Sequence, residues 1–159
     1  MTENRLELID PELSAYLLSA SIAQQRYAAA IACEFALAKT GISATIIDEG
    51  LEAIKGGVPG NEMLRSRLES FINQLDEKQW DLQEKMAEGK AQLETYIAAF
   101  QKARAVNSLY YALNPDAFTA ATESLYEAQA ATEDLATLKS RILLGINSLL
   151  AIQSIGTPS

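Results

Sequence analysis

The chain has 159 residues, 48 % of them hydrophobic, and 13 Lys and Arg against 21 Asp and Glu give it a formal charge of −8. That length and apolar content fit one domain with a core and exclude wholesale disorder. There is no histidine, which excludes Ser-His-Asp and Cys-His hydrolases, histidine-ligated zinc and Glu-x-x-His di-iron bundles.

No third of the chain is basic, so neither a nucleic-acid groove nor an anionic membrane surface has an electrostatic footprint to bind it. The longest charge-free apolar run, Ile142 to Ile155, is interrupted by Asn147, Ser148 and Gln153 and is too short for a bilayer span. Met1 to Glu7 lacks the layout of a signal peptide. Cys33 is the single cysteine, which precludes an intrachain disulfide and fits a reducing compartment. These features together predict a cytoplasmic protein.

Residues 1–10 read as a flexible end. Asp10-Pro11-Glu12 then has the signature of a helix start: a capping aspartate, a proline at the first helical position and an acid in the first turn. Leu13, Leu17, Leu18 and Ile22 carry the apolar spacing forward, and Tyr27, Ile31, Phe35 and Ala38 extend it to Thr40-Gly41. Ser21 and Gln24 match a capping box, so the pattern is read as two helices, over 11–19 and 21–39, in preference to one. Ser43 is expected to open a short helix through Ile47, Leu51 and Ile54, closed by Gly56-Gly57. The loop Gly56 to Gly60 follows.

Asn61 caps a very long pattern from Leu64 through Leu68, Phe71, Leu75, Leu82, Met86, Leu93, Ile97 and Phe100. A continuous helix over 61–112 would be about 80 Å long at 1.5 Å per residue, so a kink is expected near Asp76 or Gly89. Asn114-Pro115-Asp116 repeats the opening cap and starts a second long helix, over 115–153. Residues 154–159 read as a frayed tail. No stretch has sustained period-two alternation, so no sheet is expected. The predicted fold is a single all-α domain, an antiparallel bundle of four to six helices including those two long ones.

Five groups of residues invite a functional reading. Glu34 is the one charge between Tyr27 and Ala38, on a stripe expected to face partly inward, and Arg26 shares a face with Ala30, Cys33 and Leu37. Charges in such surroundings must be paired or shift their pKa. They read as a polar pocket or partner contact, or more plainly as a structural ion pair with another helix or a rim position. Cys33 has no basic neighbour to activate it and reads as buried and inert. The Gly56–Gly60 loop could offer N–H groups to an anion but lacks the Lys-Ser/Thr of a phosphate loop. The carboxylates from Asp76 to Glu94 alternate with Lys78, Lys85 and Lys90 and read as a solvated face, not a metal site. Tyr96, Phe100, Arg104, Tyr110 and Tyr111 have the composition of an interface hot spot and equally of a packed helix corner.

The stretch from Leu143 to Ile155 is apolar nearly all round, so it is expected to be buried by another subunit or by most of the bundle. No catalytic constellation, cofactor motif or metal site is legible. The expectation is a non-enzymatic helical protein working through protein–protein contact, as adaptor, inhibitor, immunity-type protein or assembly subunit. Its partner is expected to be a protein, basic by charge complementarity, and a homo-oligomer is favoured; no nucleic acid and no membrane are expected. The alternatives are a small carboxylate-dependent enzyme and a bundle that binds an apolar ligand.

Overall fold

The computed structural model describes residues 4–57 and 61–156, with side chains described as far as Leu149. Eight helices are present among these residues: α1 Arg5–Ile9, α2 Pro11–Ser19, α3 Ile22–Thr40, α4 Thr45–Lys55, α5 Glu62–Ala87, α6 Leu93–Ala112, α7 Ala117–Thr132 and α8 Leu135–Gly156. The fold is an all-α helical bundle. The two long helices expected from the apolar spacing are each broken in two, and a helix forms where a flexible start was expected.

Most helix starts are set by side chains read directly from the sequence. Asp10 accepts from the Leu13 N–H at 3.0 Å, with Pro11 at the first helical position. Ser21 and Gln24 make both bonds of the capping box. Asn61 accepts from Leu64 N–H and Asp116 from Thr119 N–H. Each satisfies an N–H that the helix leaves unpaired. Ser43 does not act as expected: α4 starts at Thr45 after Ala44, with no side-chain cap. Residues 58–60 of the expected glycine loop lie outside the described residues.

The expected helix over 61–112 runs straight through Asp76 and stops at Glu88. Gly89 has φ +74°, and the Gly89 and Lys90 N–H groups bond back to the Met86 and Lys85 carbonyls, a complete Schellman ending. The chain then reverses into α6. The expected helix over 115–153 breaks at Glu133, which has φ 53°, after which Asp134 accepts from Thr137 N–H and starts α8. The apolar stripe is continuous across this break, which is why periodicity alone joined the two helices.

The core lies among α3, α6 and α7. Their facing positions are rich in small residues: Ala28, Ala29, Ala32 and Ala36 on α3, Ala105 and Ala112 on α6, and Ala120, Ala121 and Ala128 on α7 are all buried. Small side chains let helix axes approach closely. Leu109, Leu113, Leu125, Leu138, Ile142 and Ile146 fill what is left and are fully buried, each worth about 1.5–3 kcal/mol of transfer free energy. Leu109 is pressed against Gly50 of α4, where an added Cβ would lie 2.8 Å from its Cδ2. Leu6, Leu13 and Leu17 anchor α1 and α2 onto the bundle. In the described part of the stretch expected to be apolar all round, Ile146 is buried but Leu144 is exposed; its continuation beyond Leu149 has no described side chains.

Candidate functional site

Two features stand out, a buried charge network and the unburied end of the α5–α6 hairpin. The network centres on Glu127, whose side chain is 1 % exposed. It sits on α7 among Leu125, Ala128 and Ala131, so ionisation there requires partners on other helices. Arg5 of α1 donates from NH2 to Glu127 at 2.8 Å and from Nε to Glu123 at 2.7 Å. Arg104 of α6 donates from NH1 to the same Glu127 at 3.1 Å and approaches Asp76 of α5 at 3.8 Å. Five alternating charges therefore join α1, α5, α6 and α7.

Aromatic faces complete the surroundings. The Arg5 guanidinium lies 4.3 Å from the ring centre of Tyr126 and 5.5 Å from that of Tyr111. Arg104 lies 5.8 Å from Phe100. Burial disfavours the Arg5 cation, but its hydrogen bonds to Glu123 and Glu127 and their negative field outweigh it and raise its pKa. Burial also raises the Tyr111 hydroxyl pKa, against the opposing field of Arg5. The arrangement holds two guanidinium groups between carboxylates and aromatic rings.

The second feature is the hairpin end. From Asn73 through Lys102 no residue is buried. Trp80, the single tryptophan, is 58 % exposed, Leu93 is 53 % and Ile97 is 41 %. Leu93, Ile97, Phe100 and Arg104 recur at +4, +3, +4 and so share one face of α6. The Asp76–Arg104 contact and the Gln79–Tyr96 hydrogen bond set the helix register, which brings Trp80 level with Ile97 and Phe100. Charged groups here pair locally: Lys85 meets Asp81 at 2.9 Å and Lys90 meets Glu88 at 3.2 Å. Among the described residues no group of three or more potential ligands is placed to hold a metal ion.

The remaining sequence candidates are dispersed. Arg26 and Glu34 do not form an ion pair. Glu34 is exposed, contrary to its expected inward position, because its stripe with Tyr27 and Ile31 borders an open groove against Arg141 and Leu144 of α8. The core-facing side of α3 is the alanine row one step round. Arg26 is half-buried and donates to the Asn114 and Pro115 carbonyls at 2.6 and 2.5 Å, fastening α3 to the α6–α7 turn. Burial lowers its pKa, and Asp116 partly offsets this. Arg26 also lines a cavity of about 500 Å³ with Ala30, Ile54 and Leu113. Cys33 is fully buried, and desolvation pushes its thiol well above the ordinary range. Tyr96 is half-buried and accepts from Gln79. Tyr110 stacks edge-on against Tyr111 at 5.6 Å and under Arg65 at 5.0 Å.

The sequence reading found Arg104, Phe100 and Tyr111 but missed Arg5, Glu123 and Glu127. Glu127 left a trace, an acid within the apolar spacing of Ala121, Leu125, Ala128 and Ala131. Arg5 left none, since its partners are more than 115 residues away. Comparison with family models, with curated proteins and with solved structures finds no match to this chain. No helix among the described residues is long and apolar enough to cross a membrane.

Proposed function

We propose that this is a non-enzymatic helical binding protein that engages a protein partner through the end of its α5–α6 hairpin. The observation that carries the reading is the exposure of Trp80, Leu93 and Ile97 on a segment with no buried residue. An exposed tryptophan on one helix and large aliphatics on its neighbour are residues that interface centres use. A solvated hairpin that only connected two helices would gain nothing from them. The absence of histidine, the buried Cys33 thiol and the lysine-paired carboxylates support a non-catalytic role. The charge of −8 favours a basic partner, and a second copy of the chain is the competing occupant.

The test compares the parent with a Trp80→Ser/Ile97→Asp variant. Both should share the same helicity and melting temperature, since neither residue is buried. The parent alone should capture a discrete partner from lysate or sediment as a dimer. Identical captured proteins and identical mass for both variants would overturn the assignment to this face. The cavity beside Arg26 favours a second reading, an apolar ligand between helices. A rise in melting temperature with a medium-chain fatty acid, abolished by Ala30→Leu, would support it.

A further inference from the structure

The four groups that hold the Arg5 guanidinium all belong to the bundle and none to α1. Glu123 and Glu127 present carboxylates to its Nε and NH2 edges, and Tyr126 and Tyr111 present ring faces. Its carrier, α1, is a five-residue helix with one buried side chain, Leu6, while Leu8 is 74 % exposed and Ile9 39 %. The binding site is therefore built by the large helices and its occupant is supplied by a short N-terminal one. Without Arg5, the three carboxylates Asp76, Glu123 and Glu127 would face Arg104 alone. Glu123 would lose its ion-pair partner, and Glu127, 1 % exposed, would share one remaining cation. Such a site demands a cation. A planar guanidinium satisfies it: its fixed edge spans two carboxylates, which a compact ammonium does not, while its centre stands over a ring.

We propose that this cage is an arginine-binding site, filled by Arg5 in the resting protein and open to an arginine side chain of a partner protein when α1 lifts. The net negative charge of the chain favours an arginine-bearing basic segment as that occupant. The site adjoins the hairpin face through Arg104 and Phe100, but the groups that hold Arg5 lie on α6 beyond Arg104 and on α7, so either surface can fail alone.

The test uses the full-length Arg5→Ala protein. Methylguanidinium should raise its melting temperature saturably, by about 3 °C or more. Methylammonium at equal ionic strength should not, and Tyr126→Leu added to Arg5→Ala should abolish the response. A short glycine–serine peptide carrying one arginine should bind Arg5→Ala at least tenfold more tightly than the parent, because Arg5 competes. Its lysine counterpart should not bind. If Arg5→Ala fails to fold, Arg5→Lys keeps the charge and serves in the same titrations. Equal responses to the two cations, or equal peptide affinity for variant and parent, would overturn the proposal. Free L-arginine amide binding as tightly as the peptide would overturn the protein-partner assignment.

Discussion

At the residue scale, Glu127 is the most exposed to perturbation because two cations depend on it. Glu127→Ala removes the shared acceptor and leaves Arg5 with Glu123 alone and Arg104 with Asp76 at 3.8 Å. Losing one member of a buried pair costs about 3–5 kcal/mol. Here both guanidiniums reach solvent, at 37 % and 25 % side-chain exposure, so the lower end of that range is expected. Urea unfolding should show it, and a double-mutant cycle with Arg104→Met should show the Arg104 part of the loss already gone in the Arg104→Met background. A second residue-scale dependence is invisible to pattern reading. A Cβ on Gly145 would lie 1.8 Å from the Tyr27 hydroxyl and 2.4 Å from its ring. Gly145→Ala gains about 1 kcal/mol of helix propensity but forces Tyr27 out, so a net loss of about 1–2 kcal/mol is expected. In a Tyr27→Ala background the same change should become neutral or stabilising. Gly145 looks in sequence like an ordinary mid-helix glycine, because the tyrosine that selects it lies on α3.

At the scale of elements, helix beginnings were the most legible part of the chain. An N-cap is a local device, so Asp10, Ser21 and Asn61 announce themselves within four residues. Endings were less so. Gly89 was a visible candidate for the first break, but Glu133 in the left-handed region carries no sequence signal, and only the capping Asp134 behind it could have exposed the second. The caps also set the acid response. Burial opposes ionisation of Asp10, but the Lys139 ammonium and the Leu13 N–H outweigh it, and its pKa falls below the ordinary carboxylate value. The Thr119 hydroxyl and N–H do the same for Asp116. A carboxyl with a lowered folded pKa binds its proton less readily than in the unfolded chain. Its stabilisation is therefore complete above the unfolded value and lost as pH falls through the folded one. With no histidine to titrate, stability should stay level from about pH 6 to 8 and decline below about pH 4. Asp116→Asn keeps a capping oxygen without the charge. Its melting temperature should match the parent's to within about 2 °C at pH 7 and fall less steeply in acid.

At the scale of the whole molecule, burial is unevenly distributed, and this has a measurable consequence. Buried leucines and alanines concentrate on α3, on α7 and on α6 from Ala103 onward, whereas residues 73–102 contribute no buried side chain. Opening the hairpin end exposes little apolar surface, so its local opening free energy must lie far below that of the core. Amides in 76–100 should therefore exchange with solvent hydrogen through local openings, insensitive to low denaturant. Those within 28–37, 105–112 and 120–128 should exchange only by global unfolding and respond steeply to denaturant. Trp80 supplies an independent readout as the single tryptophan. Its emission should be red-shifted and freely quenched by acrylamide in the folded protein, and its thermal transition should precede the loss of far-ultraviolet helicity. Coincident transitions would mean that the hairpin end and the core unfold as one unit. A partner bound on the Trp80–Ile97 face would move the same observables the other way, with a blue shift, protection from quenching and slowed exchange confined to 76–100. Arginine binding at the Glu123–Glu127 cage would not cover Trp80, so acrylamide access to one fluorophore separates the two surfaces.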